Sequence, residues 1–258
     1  MHRVILLAAM GGAVLLADDW NKNFTVGANA QVRVETNDAS VRVRGWDRNQ
    51  IEARITTTGY RIGPGYVTVT DRQSGDLVEL DVRIPRQFGF NFGTHQVHIE
   101  LQVPRATQAN IHTGDGRIDT DGLKGEARLS TGDGRIEVDG HDGILDAHTG
   151  DGRVHVRGRL DRLNVRTGDG SVQVELLQGS KVSGEWRVQT GDGHVTIRMP
   201  EDLAATLDVH TGDGHITSNL RGAVVDSRRG NELRGRLNGG GAPFVIRTND
   251  GGITLERM

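Results

Sequence analysis

The sequence predicts an all-β protein: a β-solenoid, like a parallel β-helix, of about nine coils, each spending about 18 residues on two strands. Three observations carry that expectation. The tetrapeptide Thr-Gly-Asp-Gly starts at Thr113, Thr131, Thr149, Thr167, Thr190 and Thr211, at intervals of 18, 18, 18, 23 and 21 residues. Apolar residues recur at a spacing of two on both sides of these turns, the mark of strands with one buried face. Glycine supplies 37 of 258 residues, while Phe, Trp and Tyr together supply only ten and Cys none; that is about twice the usual glycine share of ~7%.

Residues 1–17 come first and read as an address. Arg3 is followed by a mostly apolar run that ends at Ala17, before Asp18 and Asp19. A membrane span needs ~20 apolar residues, so a secretory signal peptide is expected, cut after Ala17 or, alternatively, after Ala13. The chain is then expected to be exported, to the periplasm or to the extracellular surface, and not to be transmembrane. Net charge is −3, or −4 once Arg3 leaves with the leader, too balanced for a polyanion binder, so no nucleic-acid partner is expected. Lacking Cys, the chain holds no disulfide, thiolate zinc site or lipoprotein anchor.

Residues 18–258 read as one β-solenoid domain, with an irregular stretch at 45–105 and regular repeats over 106–258. Two variant turns extend the series, at Thr36-Asn37-Asp38-Ala39 and Thr248-Asn249-Asp250-Gly251, and Ser227-Arg228-Arg229-Gly230 falls where a degenerate copy is expected. Four residues before the turn residue stand Val32, Ala109, Ala127, Leu145, Leu163, Trp186, Leu207, Ala223 and Phe244; two before it stand Val34, Ile111, Leu129, Ala147, Val165, Val188, Val209, Val225 and Ile246. Five after it stand Val41, Ile118, Ile136, Val154, Val172, Val195, Ile216 and Ile253. Equal unit length and matching columns favour coil-on-coil stacking over a meander of hairpins, which needs no fixed repeat. Within 45–105 the period fails. Val67-Thr-Val-Thr and Val78-Glu-Leu-Asp-Val alternate about an Asp71–Asp76 turn and read as a hairpin, Ile51–Thr56 as one irregular coil, and Val97–Val103 as a further strand. Such an excursion is expected to cover an open edge of the solenoid. Phe88, Phe90 and Phe92 cluster inside it and are the guess for a partner contact.

Chemistry is sparse. The turn Asp forms a column, and carboxylates ~5 Å apart repel by ~1 kcal/mol in water. Backbone N–H donors in a turn whose glycines take positive φ, with Arg117, Arg135 and Arg153 as screening cations, are expected to offset this. Bound Ca²⁺ on Asp133, Asp151 and Asp169 is the alternative, and adjacent coils would put His194 beside His215 as a weak zinc pair. The Thr column is expected to be a hydroxyl ladder on the turn backbone. No nucleophile elbow, zincin helix or phosphate-binding loop is present, so no catalytic residue and no resident cofactor are expected.

The repeated T-G-D-G-[RHS]-[IV]-x-V columns, the strand end Leu101-Gln-Val-Pro104, and the closing Leu233-Arg-Gly-Arg-Leu-Asn-Gly-Gly-Gly241 with Ile246-Arg-Thr-Asn-Asp-Gly-Gly-Ile-Thr-Leu255 carry a resemblance. Over roughly residues 22–258 the chain resembles the bacterial family named "putative adhesin", β-strand repeat proteins of unknown function. The resemblance implies a β-solenoid, often exported or envelope-associated, and no catalytic residues. The expected function is therefore an exported, non-enzymatic, adhesin-like binding or structural protein. Its partner is a surface glycan, an envelope component or a protein. The alternatives are a carbohydrate-active β-helix enzyme and a Ca²⁺-stabilised surface repeat protein.

Overall fold

The computed structural model describes residues 17–85, 95–220 and 224–258. Among the described residues there is no helix, and twenty-one strands form one mixed sheet. The first seven are β1 (Ala17–Thr25), β2 (Gln31–Thr36), β3 (Ser40–Trp46), β4 (Gln50–Thr58), β5 (Thr68–Ser74), β6 (Leu77–Arg83) and β7 (Gln96–Pro104). The regular repeats supply β8 (Gln108–Thr113), β9 (Ile118–Asp121), β10 (Lys124–Thr131), β11 (Ile136–Thr149), β12 (Val154–Arg166), β13 (Val172–Leu176), β14 (Trp186–Gln189) and β15 (Val195–Met199). The last six are β16 (Ala205–Thr211), β17 (Ile216–Asn219), β18 (Val224–Arg229), β19 (Glu232–Leu237), β20 (Pro243–Thr248) and β21 (Ile253–Arg257).

The strands stack in two columns, one before and one after the turn. In the first, β2, β8, β10, β11, β12 and β14 pair in parallel in that order, with turn Thr on turn Thr: Thr36↔Thr113, Thr131↔Thr113 and Thr131↔Thr149. In the second, β3, β9, β11, β12, β13 and β15 do the same, with Ile136↔Val154 and Val154↔Val172. β11 and β12 run through both columns, which joins them into one sheet. The alternating apolar residues of the two columns meet inside. The β-branched column from Val41 to Ile253 is buried along its whole length, as are Val32, Val34 and their equivalents through Leu207 and Val209, together with Phe244 and Ile246. Burial of these columns is what the two-residue spacing predicts, because alternate side chains of a strand share a face.

Chain order and stacking order part at both ends. Downstream of β14 comes β20 and only then β16, with Trp186↔Phe244 and Leu207↔Phe244 in register. Likewise β21 lies between β15 and β17. The C-terminal unit thus sits inside the stack, and Phe244 packs edge-on against Trp186 with ring centroids 5.4 Å apart. A narrow core therefore does admit two large rings, with Leu163 and Leu207 on either side of them in the column. At the other end β2 lies between β6 and β8, and β3 between β7 and β9. The irregular stretch thus supplies a coil outside the first repeat. β5 pairs antiparallel with β6 as the expected hairpin, and β4 pairs antiparallel with both β1 and β7 rather than forming a coil.

Two more expectations are corrected. The unit around Ser227 is not a coil: β18 and β19 make an antiparallel hairpin on β16, leaving Val225 46% exposed instead of in the core. The turn glycines do not take positive φ either; positive values occur at other bends, such as Gly122, Gly140 and Gly143. What demands glycine is contact between coils. A Cβ on Gly116, Gly134, Gly152 or Gly170 would stand 1.9–2.0 Å from the carbonyl oxygen of the coil before it.

Candidate functional site

The Thr hydroxyls lock these close turns. Thr149 Oγ1 donates to Gly134 O at 2.8 Å and Gly132 O at 3.2 Å, and accepts from Gly152 N at 3.2 Å. The same pattern recurs at Thr131, Thr167, Thr190 and Thr248. All these Thr are buried, so the ladder is structural and presents no surface. It stops at Thr36, whose buried hydroxyl has no partner among the described residues. Beyond Thr36 lies β6, which has no glycine turn to offer a carbonyl. There Asn37 takes over, its side chain donating to Ile84 O and accepting from Ile84 N, both at 2.8 Å.

The Asp column lies outside this ladder and is exposed. Among the described residues none of Asp115, Asp133, Asp151, Asp169, Asp192, Asp213 or Asp250 has an ion pair or a hydrogen bond to a backbone N–H, contrary to expectation. The arginines turn sideways instead. Arg117 pairs with Asp119 and, at 2.6 Å, with Glu137 on the next coil, and Arg153 donates to Ser171 at 3.2 Å. The arginine of a strand reaches its own-face neighbours, and the turn Asp is not among them.

Asp133, Asp151 and Asp169 sit on successive coils as expected, one strand spacing of ~4.8 Å apart. His194 and His215 do not adjoin: the intercalated Gly252 lies between them, and His194 Nε2 instead meets Thr254 Oγ1 at 3.1 Å. Among the described residues no three His, Asp or Glu come together in a way that could hold a metal ion. Phe88, Phe90 and Phe92 lie outside the described residues.

A groove of about 250 Å³ lies where the irregular stretch meets the Asp column, and a larger one of about 310 Å³ lies over β2, β5 and β6. The smaller one is lined by Asp38, Ser40, Asp115 and Arg117 from the repeat and by Tyr60, Ile84, His95, Gln96, Val97 and His98 from the irregular stretch, with Ser40 beside His98 in register on neighbouring strands. Asp38 and Asp115 are neighbours because Thr36 and Thr113 are in register on β2 and β8. Partial desolvation at the groove raises the Asp38 carboxyl above its ordinary value, although the residue stays exposed, and the charge of Asp115 adds to the rise. Tyr60 is raised too, by burial and then by the charge of Asp38. The Tyr60 and His95 rings meet edge-on, 5.0 Å between centroids, and His98 Nε2 lies 3.3 Å from Gln96 Oε1. Ile84 and His95 flank the stretch that holds the three Phe. Sequence reasoning missed Tyr60, His95 and His98, since none falls in a repeat column; the one signal was that they lie where the period fails.

A family model for Toastrack DUF4097 matches residues 27–256. The chain belongs to that family. The match spans both columns and the irregular stretch alike, and agrees with the family resemblance read from the repeats. Among solved structures, this Toastrack chain is similar to a "putative cell adhesion protein" from Clostridium sporogenes ATCC 15579, at 12% identity over 94% of this chain and 100% of that one, TM-score 0.46. It is similar to a "putative adhesin" from Parabacteroides merdae ATCC 43184, at 12% identity over 92% and 95%, TM-score 0.45. A third is a "putative lipid binding protein" from Parabacteroides distasonis ATCC 8503, at 10% identity over 92% and 96%, TM-score 0.43. No curated protein matches the chain. Among the described residues no helix is long and apolar enough to cross a membrane.

Proposed function

We propose that this Toastrack chain is an exported, non-enzymatic solenoid of the cell envelope that binds an envelope glycan or another envelope component. The observation that carries the reading is the groove between the Asp column and the irregular stretch. On the strands, outward charges pair across coils, as in Asp139–Arg157–Glu175 at 3.1 Å each. The groove instead gathers two unpaired carboxylates with an aromatic pair and amide and imidazole groups. The run at residues 1–17 supports export. Glycoside hydrolysis takes carboxyl groups on both sides of a scissile bond. Asp38 and Asp115 occupy the same position of adjacent coils and so lie side by side, which supports binding over catalysis.

The test is a binding screen of the purified chain against envelope glycans, sacculi and vesicles. Binding without turnover is expected; cleavage of a glycan, blocked by Asp38→Asn, would overturn the reading. N-terminal sequencing of the exported chain should begin at Asp18, and a first residue of Val14 would move the cut to Ala13. A second reading, Ca²⁺ loading of Asp133, Asp151 and Asp169, is favoured by their unpaired carboxylates. It requires the melting temperature to fall on adding chelator and to recover in millimolar calcium; an indifferent melt removes it.

A further inference from the structure

We propose that the Thr ladder also guards the turns chemically, holding each glycine nitrogen out of the reaction that isomerises Asp-Gly to isoaspartate. A turn Asp whose Thr is lost becomes the modification site. The inference does not depend on what the chain binds.

The chemistry is local to the pair. The glycine nitrogen attacks Cγ of the protonated Asp carboxyl, and an N–C bond forms. The C–OH bond breaks, and the hydroxyl leaves as water with the proton from the nitrogen. Water then reopens the five-membered succinimide, either back to Asp or, at the backbone carbonyl, to isoaspartate. The main chain now runs through Cγ and is one methylene longer, which upsets the two-residue alternation beyond the turn. Glycine favours the attack, because it has no Cβ to hinder its nitrogen.

The chain holds ten Asp-Gly pairs, seven of them in the turn column. The reaction needs a free carboxyl and a free nitrogen. At the turns the carboxyl is free: among the described residues no column Asp from Asp115 to Asp250 has a hydrogen bond or ion pair. The nitrogen is engaged. Each following glycine, Gly116 through Gly251, donates its N–H to the Thr hydroxyl three residues before it, at 3.1–3.2 Å. To attack, Gly152 N must leave Thr149 Oγ1 and its peptide plane must turn. The preceding coil leaves little room for that, since a Cβ on Gly152 would stand 2.0 Å from Gly134 O.

The turns outside the ladder follow the same rule. Thr36 Oγ1 has no partner among the described residues and so does not hold the next turn nitrogen, and there Asp38 is followed by Ala39. The Ser227 unit, a hairpin, has Arg229 before Gly230. Of the three Asp-Gly pairs away from the turns, Gly122 N donates to Asp139 O at 3.0 Å, while the Asp139 and Asp142 carboxylates pair with Arg157 and Arg159. Every Asp-Gly pair therefore has one of its two reacting groups engaged.

The experiment incubates the folded full chain for weeks in mildly acidic buffer. Isoaspartate is then read by methyl transfer with an isoaspartate methyltransferase and assigned to each Asp by electron-transfer fragmentation of peptides. Little is expected at any turn Asp of the native chain, with a rise at all of them once the chain is held unfolded in urea. Equal rates folded and unfolded overturn the guard. Thr149→Val should raise the rate at Asp151 at least ~5-fold, because one hydrogen bond no longer has to break, and leave Asp192 unchanged. Thr149→Ser keeps the hydroxyl and should keep the native rate. Val156→Ala, a buried change in the same coil that spares the hydroxyl, should lower the melt and leave Asp151 at the native rate. Circular dichroism confirms that each variant stays folded during the incubation. No rise at Asp151 in Thr149→Val overturns the inference, as does an equal rise in Thr149→Ser. An equal rise in Val156→Ala overturns it by assigning the reaction to a loosened coil. Should Thr149→Val not fold, Thr131→Val read at Asp133 carries the same test.

Discussion

Replacing Gly152 by Ala tests whether contact between coils, and not backbone freedom, is what glycine provides in the repeat. The added Cβ would lie 2.0 Å from Gly134 O and 2.5 Å from Gly134 C, where ordinary contact begins at 3.4 Å. The coils must therefore part locally by roughly 1.4 Å, or the turn must shift sideways by as much, since backbone cannot swing away like a flexible side chain. The bonds at stake are Thr149 Oγ1 to Gly134 O at 2.8 Å, Thr149 Oγ1 to Gly132 O at 3.2 Å, and Gly150 N to Gly132 O. Overpacking costs ~1–3 kcal/mol and each lost bond ~1 kcal/mol, so the variant should lose about 3–5 kcal/mol. For a chain of this size that is a fall in Tm of roughly 10 °C or more, read by far-ultraviolet circular dichroism. Gly184→Ala is the control: no atom lies within 4 Å of its Cβ position and its φ is not positive, so a change within ~0.5 kcal/mol is expected. If the two variants melt together, the close-approach argument is wrong.

Thr149→Val strips the hydroxyl that Gly152 N and Gly134 O share and should cost ~1–3 kcal/mol, while Thr149→Ser keeps most of that stability; equal melts for Val and Thr would refute the ladder. His141 is 2% exposed, burial holds its imidazole below the ordinary 6.5, and Nε2 bonds Ile144 O at 3.0 Å. Its neutral form is therefore the folded one: its contribution is full above about pH 6.5 and is lost as pH falls below that value toward the folded-state pKa. His141→Leu, matching Leu123 one coil earlier, should flatten the acid limb of a Tm-against-pH profile, and an unchanged limb would refute this. Phe244→Ala should cost ~3–5 kcal/mol and shift Trp186 emission to the red, because the two rings are in contact. Unmoved emission would refute the intercalation of β20 beside β14.

The sequence by itself determined the coil. Thr131, Gly134 and Asp133 recur with flanking apolar columns, and that pattern already states which side chains face inward, where each turn falls, and that the structure is all-β. The resemblance carried by those columns agrees with the Toastrack match over residues 27–256. The candidate site was half legible: Asp38 and Asp115 belong to the repeat, but Tyr60, His95 and His98 come from aperiodic segments, and nothing local says which column they will face. Only the tertiary structure decided the order of the coils. Val188, Val209 and Ile246 offer the same side-chain pattern to a neighbour, so a repeat cannot specify which coil adjoins which. The choice between β16 and β20 as the partner of β14 rests on long-range fit, Phe244 on Trp186, and on the β18–β19 hairpin that closes the stack beside β16. Identical edges are interchangeable locally; what breaks the tie is packing between residues far apart in the chain.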